Sequence, residues 1–232
     1  MRITEQAAML ELARPNGAIY PTLAWDESSL VLIDTGFPGQ AEALVGAITA
    51  EGFRAEDITH IILTHQDIDH IGCLPELLRL APSAQVVAHA QEAPYIDGRK
   101  TPIKLAALLE NYDRLSKQMK GFCDQLQAGF ANRRVAVGQT VEDGETLPLA
   151  GGIEVVHTPG HTPGHIALFL RRSRIMVAGD AANIAEGQLA GPNPQHTYDM
   201  AQGMRSFERL RAYSCQGVVS YHCGLLRMGD MA

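Results

Sequence analysis

Thr64-His65-Gln66-Asp67-Ile68-Asp69-His70 places four side chains of metal-ligand type within six consecutive residues, directly after an apolar run. The run before it, Thr59 to Thr64, is β-branched and apolar, which predicts a buried strand, and Leu74, Leu77 and Leu78 after it recur at helical spacing. The cluster is therefore expected on a strand-to-helix loop. There a rigid sheet can aim several side chains at one point, and the start of the following helix favours a negative group such as Asp69. Such a density of ligand types is hard to explain without a metal.

Working outward, the chain of 232 residues is long enough for a sizeable two-layer core, and one domain spanning 1–232 accounts for it. A formal charge of -7 argues against a broad electrostatic footprint for nucleic acid or an anionic membrane. Cys73, Cys123, Cys215 and Cys223 are scattered without a Cys-x-x-Cys pair, so reduced, mostly buried thiols are expected. Cys223 adjoins His222, but neighbours at a strand end point in opposite directions, so a structural role is expected for it. Met1 to Leu12 carries Arg2, Glu5 and Glu11 and does not read as a secretory signal, and no apolar stretch approaches a membrane span. A cytoplasmic protein acting on a small molecule is the expectation.

Ile19 to Trp25 and Ser29 to Ile33 read as a hairpin at the first edge of a sheet, 40–51 as a helix ended by Gly52, and Ala84 to His89 as a further strand. His89, at a strand end with no acidic neighbour in sequence, is expected to be structural. From Ile103 to Phe130, apolar residues recur at three- and four-residue intervals, predicting one long helix or two broken near Gly121. Its stripe reads as core or as a subunit contact, the latter giving a homodimer. Because the segment interrupts the strand pattern, it is expected to be a helical insertion at about 100–130 that acts as a lid and selects substrate. Strands are expected at 141–147, 152–157, 166–170, 175–178 and 217–221, and a helix at 198–213. Periodicity alone yields only a mixed α and β chain.

His65-x-Asp67-x-Asp69-His70 after a strand resembles the His-x-His-x-Asp-His signature of the metallo-β-lactamase superfamily, with Asp67 in place of the second His. Further landmarks follow in family order. Thr158-Pro159-Gly160-His161-Thr162-Pro163-Gly164-His165 resembles the loop of the third histidine, Ala178-Gly179-Asp180-Ala181 that of the bridging aspartate, and Ser220-Tyr221-His222-Cys223-Gly224 that of the last histidine. Asp34-Thr35-Gly36 is similar to an early strand-end turn of the same fold. The resemblance implies an α+β fold, a four-layer αββα sandwich. It implies two divalent metal ions (Zn, Fe or Mn), one held by His65, Asp67 and His161, the other by Asp69, His70 and His222, with Asp180 bridging. His157 and His165 are left for hydrogen bonding around the ligands, and His60 and His196 receive no role. In the resembling family, an insertion at 100–130 commonly borders the active site.

A dinuclear site can generate a hydroxide near neutral pH and polarise a carbonyl without a serine or cysteine nucleophile. The implied activity is hydrolysis of an ester, lactone or thioester, with Asp69 orienting the nucleophile and carrying its proton to the leaving group. Asp67, Asp69, Asp180 and a hydroxide would balance two divalent ions, and a hard carboxylate at 67 shifts preference from Zn²⁺ toward Mn²⁺ or Fe, so weaker zinc retention is expected. Acyl-homoserine lactonases carry a tyrosine shortly after the bridging aspartate; here Asn183 stands there and could donate a hydrogen bond to a substrate carbonyl. Glyoxalase II-type thioesterases have a longer C-terminal helical region, β-lactamases are usually exported, and the nuclease branch has a large basic insertion. A non-hydrolytic di-iron redox or ligand-binding module on the same fold is the alternative.

Overall fold

Side chains alternate between the two faces of a strand, and in the central strands of this protein both faces are apolar. The computed structural model describes residues 1–230. One sheet has the spatial order β1 (Arg2–Thr4), β2 (Ala7–Met9), β3 (Thr22–Trp25), β4 (Leu30–Ile33), β5 (His60–Leu63), β6 (Gln85–His89) and β7 (Gln139–Val141). The second has the order β8 (Thr146–Leu147), β9 (Ile153–His157), β10 (Ile166–Leu170), β11 (Ile175–Gly179), β12 (Gly217–Ser220) and β13 (Gly224–Arg227). The helices are α1 (Ala41–Ala50), α2 (Ile68–Ile71), α3 (Leu74–Leu80), α4 (Ala93–Ile96), α5 (Ile103–Glu110), α6 (Lys117–Ala131) and α7 (Met200–Arg211).

The alternation assigns the layers. Val31, Ile33, Ile62 and Val87 of the first sheet meet Ile153, Val155, Ile166, Leu168 and Val177 of the second in one buried cluster. The intervening Leu30, Leu32, Ile61, Leu63 and Val86 face the other way, against Leu44 and Ile48 of α1 and Leu74 and Leu77 of α3. Phe207 and Leu210 of α7 cover Val156, Ala167, Met176 and Val218 on the outside of the second sheet. This is the expected αββα sandwich. Among the described residues, no helix is long and apolar enough to cross a membrane.

Topology brings the loops together. β4, β5, β6 and β7 pair in parallel, so the loops after Ile33, Leu63 and His89 leave from one edge. β11 and β12 are also parallel, with Gly179 opposite Ser220 at their ends. The two edges are joined where Ile166 N donates to Thr64 O at 3.0 Å, directly beside the ligand cluster.

Several elements depart from the expectation. The first hairpin is not the sheet edge: β1 and β2, from a stretch in which no strand was anticipated, lie outside it. The run 19–25 is interrupted at Pro21, which lacks an N–H for the ladder; Gly17–Ile19 pairs instead with Leu12–Arg14. The run 141–147 changes sheet through a turn at Gly144 (φ 78°), ending the first sheet and beginning the second. Helix 103–130 breaks at 111–116, not at Gly121, because Ser116 accepts from Met119 N at 3.3 Å and caps α6. In its stripe Leu105 is buried, whereas Met119 and Phe122 remain exposed. Of the four free thiols, Cys73 and Cys123 are buried, Cys215 is half-buried and Cys223 is exposed.

Gly72, just after α2, donates its N–H to Gly36 O at 2.9 Å, and a Cβ there would lie under 3.0 Å from backbone atoms of Gly36, Phe37 and Pro38. Gly46 in α1 has open space around it. Gly72→Ala should therefore destabilise the protein by about 2–4 kcal/mol, since backbone cannot yield as a side chain tip does, while Gly46→Ala should stabilise it by about 0.5–1 kcal/mol. Denaturant unfolding of the two variants measures both.

Candidate metal centre

His65 follows β5, Asp67 precedes α2, and Asp69 and His70 lie within α2. His161 comes from the loop between β9 and β10, Asp180 from the end of β11 and His222 from the end of β12. The fold brings all seven together. Asp180 is central: its Oδ2 lies 3.4 Å from His161 Nε2 and 3.2 Å from His222 Nε2, and its Oδ1 lies 3.4 Å from His70 Nε2. Asp67 Oδ2 is 3.2 Å from His65 Nε2 and 3.0 Å from His161 Nε2. Asp69 Oδ2 is 3.5 Å from His222 Nε2 and 3.8 Å from His70 Nε2.

A second layer aims the imidazoles. Asp34 sits at φ 61°, a left-handed conformation that aspartate tolerates better than most residues, and from there its carboxylate accepts from Thr64 N at 2.9 Å and Thr64 Oγ1 at 2.8 Å. Its Oδ2 is also 2.8 Å from His70 Nδ1, which must carry the proton, leaving Nε2 directed at the centre. Thr64 Oγ1 gives its hydrogen to Asp34 and so accepts from His65 Nδ1 at 3.1 Å, orienting that ring likewise. Tyr221 stacks on His70 at 3.8 Å between centroids and donates its hydroxyl to Asp69 O at 2.5 Å.

The three histidines of the 157–165 loop are separated by their partners. His165 Nε2 accepts from Asp180 N at 3.0 Å and its Nδ1 then donates to Thr158 Oγ1 at 2.7 Å, so neither nitrogen remains for a cation. His157 lies elsewhere: it stacks on His89 at 4.3 Å and its Nε2 donates to Pro163 O at 2.9 Å, so the expected hydrogen bonding to ligands is absent there. His89 does have an acidic neighbour, Glu142, 3.3 Å from its Nε2 and distant in sequence. His196, given no role from sequence, lies within electrostatic reach of Lys104, His161, Asp180 and Asp67. Asn183 Nδ2 donates to Gly191 O at 3.1 Å, which ties the 183–190 hairpin and leaves one amide hydrogen for a substrate.

Burial and charge set the protonation. Burial pushes His65 down to about 4, and His70 adds to that, outweighing Asp67. Burial would lower His70 too, but Asp34, Asp69 and Asp180 hold it well above the usual histidine value. Asp67 and Asp180 are largely withdrawn from solvent, which opposes ionisation, yet the surrounding histidines keep both carboxyls well below the usual range. His65 Nε2, His70 Nε2 and Asp180 Oδ1 are buried with no hydrogen-bond partner, the approaches to carboxylates being poorly aligned. Ligand atoms of His65, His161 and Asp180 lie within 4.8 Å of one another, as do those of Asp69, His70 and His222. Unpartnered imidazole nitrogens and carboxylate oxygens converging in two such groups fit two divalent ions.

A family model described as the metallo-beta-lactamase superfamily matches residues 14–216. The chain belongs to the metallo-beta-lactamase superfamily. It is similar to the probable metallo-hydrolase YflN of Bacillus subtilis (strain 168), 31% identical over 213 residues, covering 84% of this chain and 75% of that protein. It is also 29% identical over 190 residues to a hydroxyacylglutathione hydrolase of Synechococcus sp., covering 77% and 56% respectively. A solved metallo-beta-lactamase family protein from Thermus thermophilus superimposes with a TM-score of 0.75 at 22% identity, covering 97% of this chain and 76% of that one, a likeness of fold. The named metallo-hydrolase relatives support hydrolase activity for this member of the metallo-beta-lactamase superfamily.

Two residues around this superfamily centre escaped the sequence. Glu92, after β6, is fully buried and joins the two ligand loops: its Oε2 accepts from Gln66 N at 3.0 Å and Gln66 Nε2 at 2.8 Å, and its Oε1 accepts from Gly164 N at 2.8 Å. Lys104, in the first turn of α5, is ion-paired with Asp67 Oδ2. Neither belongs to a local motif; a glutamate 26 residues from Gln66 gives no spacing signal. Glu92→Gln sets an amide against backbone N–H groups and should cost about 1–3 kcal/mol, with less divalent metal retained per chain; thermal melting and metal analysis of the variant check this.

Proposed function

We propose that the protein is a metal-dependent hydrolase of small-molecule esters, lactones or thioesters, with His65, Asp67 and His161 about one divalent ion, Asp69, His70 and His222 about a second, and Asp180 shared. The observation that carries this reading is the placement of the Asp180 carboxylate, within 3.4 Å of histidine nitrogens from both groups. Divalent ions held by these residues would supply an activated water and polarise a substrate carbonyl oxygen. Asp69 is the catalytic residue: half-buried and fixed through its own carbonyl by Tyr221, it orients the attacking water and carries its proton to the leaving group. Asn183, on the neighbouring hairpin, donates to the substrate carbonyl.

Among the ester types, thioesters come first. Relatives of this chain include hydroxyacylglutathione hydrolases of Synechococcus and Haemophilus influenzae and an atrochrysone carboxyl ACP thioesterase. Elemental analysis of protein purified without added metal, followed by assay on thioesters, lactones and phosphodiesters, tests the reading. Iron without hydrolysis of any of them would instead favour a non-hydrolytic di-iron module. Asp69→Asn should fold normally and lose about 10²–10⁴-fold in turnover; full activity would exclude the role.

Proton linkage gives an independent test. His70 is held above its usual value, so near pH 7 the metal-free centre keeps a proton that a metal at Nε2 must displace. Zinc binding should therefore release about one proton through His70, and zinc affinity should fall as pH is lowered. Calorimetric titrations in buffers of different ionisation enthalpy read the proton count, and a count of zero would contradict the assignment.

A further inference from the structure

Lys104 brings a fixed positive charge into the candidate centre from the helical segment. Its Nζ is ion-paired with Asp67 Oδ2 and lies 3.0 Å from His161 Nε2. This lysine is not a loose surface side chain: it is 35% exposed, and the start of its helix is fastened where Ile103 N donates to Gln66 Oε1 at 2.8 Å. Gln66 is itself fully buried and held by Glu92. The 65–70 loop and the start of α5 are therefore tied together, with Lys104 directed at Asp67 and His161.

Two physical conflicts follow. The Lys104 ammonium lies 3.0 Å from His161 Nε2, the nitrogen a metal ion would use, so in the tautomer that leaves its single lone pair free the ammonium and the ion compete for it. A positive charge a few ångströms from a divalent ion in a partly buried site also repels it, with far less screening than in water. The other triplet differs: the ionic contacts of Asp69, His70 and His222 are with one another, with Asp34 and with Asp180.

Resting on the metal-centre reading above, we propose that Lys104 is a built-in competitor for the first metal position. It holds Asp67 and His161 until a metal displaces it, so the two positions fill in order. The position at Asp69, His70, Asp180 and His222 fills first and tightly. The position at His65, Asp67 and His161 fills later and more weakly. The Asp67–Lys104 pair thus replaces one neutral histidine by two opposite charges, keeping the net charge while making the two positions unequal.

The experiment is equilibrium dialysis of chelator-stripped full-length protein against Zn²⁺, with zinc per chain read by mass spectrometry. Wild-type protein should bind one equivalent tightly and a second at least about tenfold more weakly. Lys104→Met should tighten the weaker step by about tenfold or more, and Lys104→Gln should do the same because charge is the cause. Lys100→Met, which removes a lysine resting on Tyr95, should change neither step. Two equal steps in the wild type, or a weaker step that is unchanged or loosened in both Lys104 variants, overturns the inference while leaving the metal centre intact. Zinc bound by none of these proteins overturns the metal-centre reading and this inference together.

Discussion

Negative charge brought together out of water is the constraint that organises this molecule. Asp34, Asp67, Asp69, Asp180 and Glu92 are all buried or nearly so within one region, and carboxylates there are tolerated only with imidazoles, hydrogen-bond donors or cations around them. The protein supplies each kind. Histidines surround Asp180 and Asp67, backbone and amide N–H groups surround Glu92, and Thr64 and His70 surround Asp34. The centre is thus a balanced arrangement in which each supporting contact also aims a potential ligand.

The sandwich makes that balance achievable. Parallel pairing in each sheet sends loops out at a common edge, and the bond from Ile166 N to Thr64 O holds the two edges together. Side chains from widely separated segments then meet on a rigid frame. Glu92 and Gln66 extend the frame to the 157–165 loop and to α5, so the helical segment borders the centre through defined hydrogen bonds. The contribution of that segment is specific: it delivers one lysine to one carboxylate.

The choice among histidines shows how roles divide in such a site. His161 and His165 are four residues apart in a repetitive His-Thr-Pro-Gly context, yet His165 spends both ring nitrogens on Asp180 N and Thr158 Oγ1, while His161 keeps Nε2 directed at Asp67 and Asp180. His157, another turn of the same repeat, leaves the centre altogether and stacks on His89. Identity of residue type says nothing of this; hydrogen-bond occupancy decides it.

What the amino-acid sequence determined by itself was the dense cluster of candidate ligands at 65–70 and most strands and helices, because ligand-type clusters and amphipathic periods are local patterns, while the positions 161, 180 and 222 were marked by the family resemblance. Tertiary structure alone decided what lies between those landmarks. It put Glu142 beside His89 and carried Glu92 and Lys104 to the loops at 65–70 and 157–165. Those partners are separated by tens of residues in the chain. A contact of that kind depends on the register of two sheets and the docking of a helix, and no short window of sequence records either.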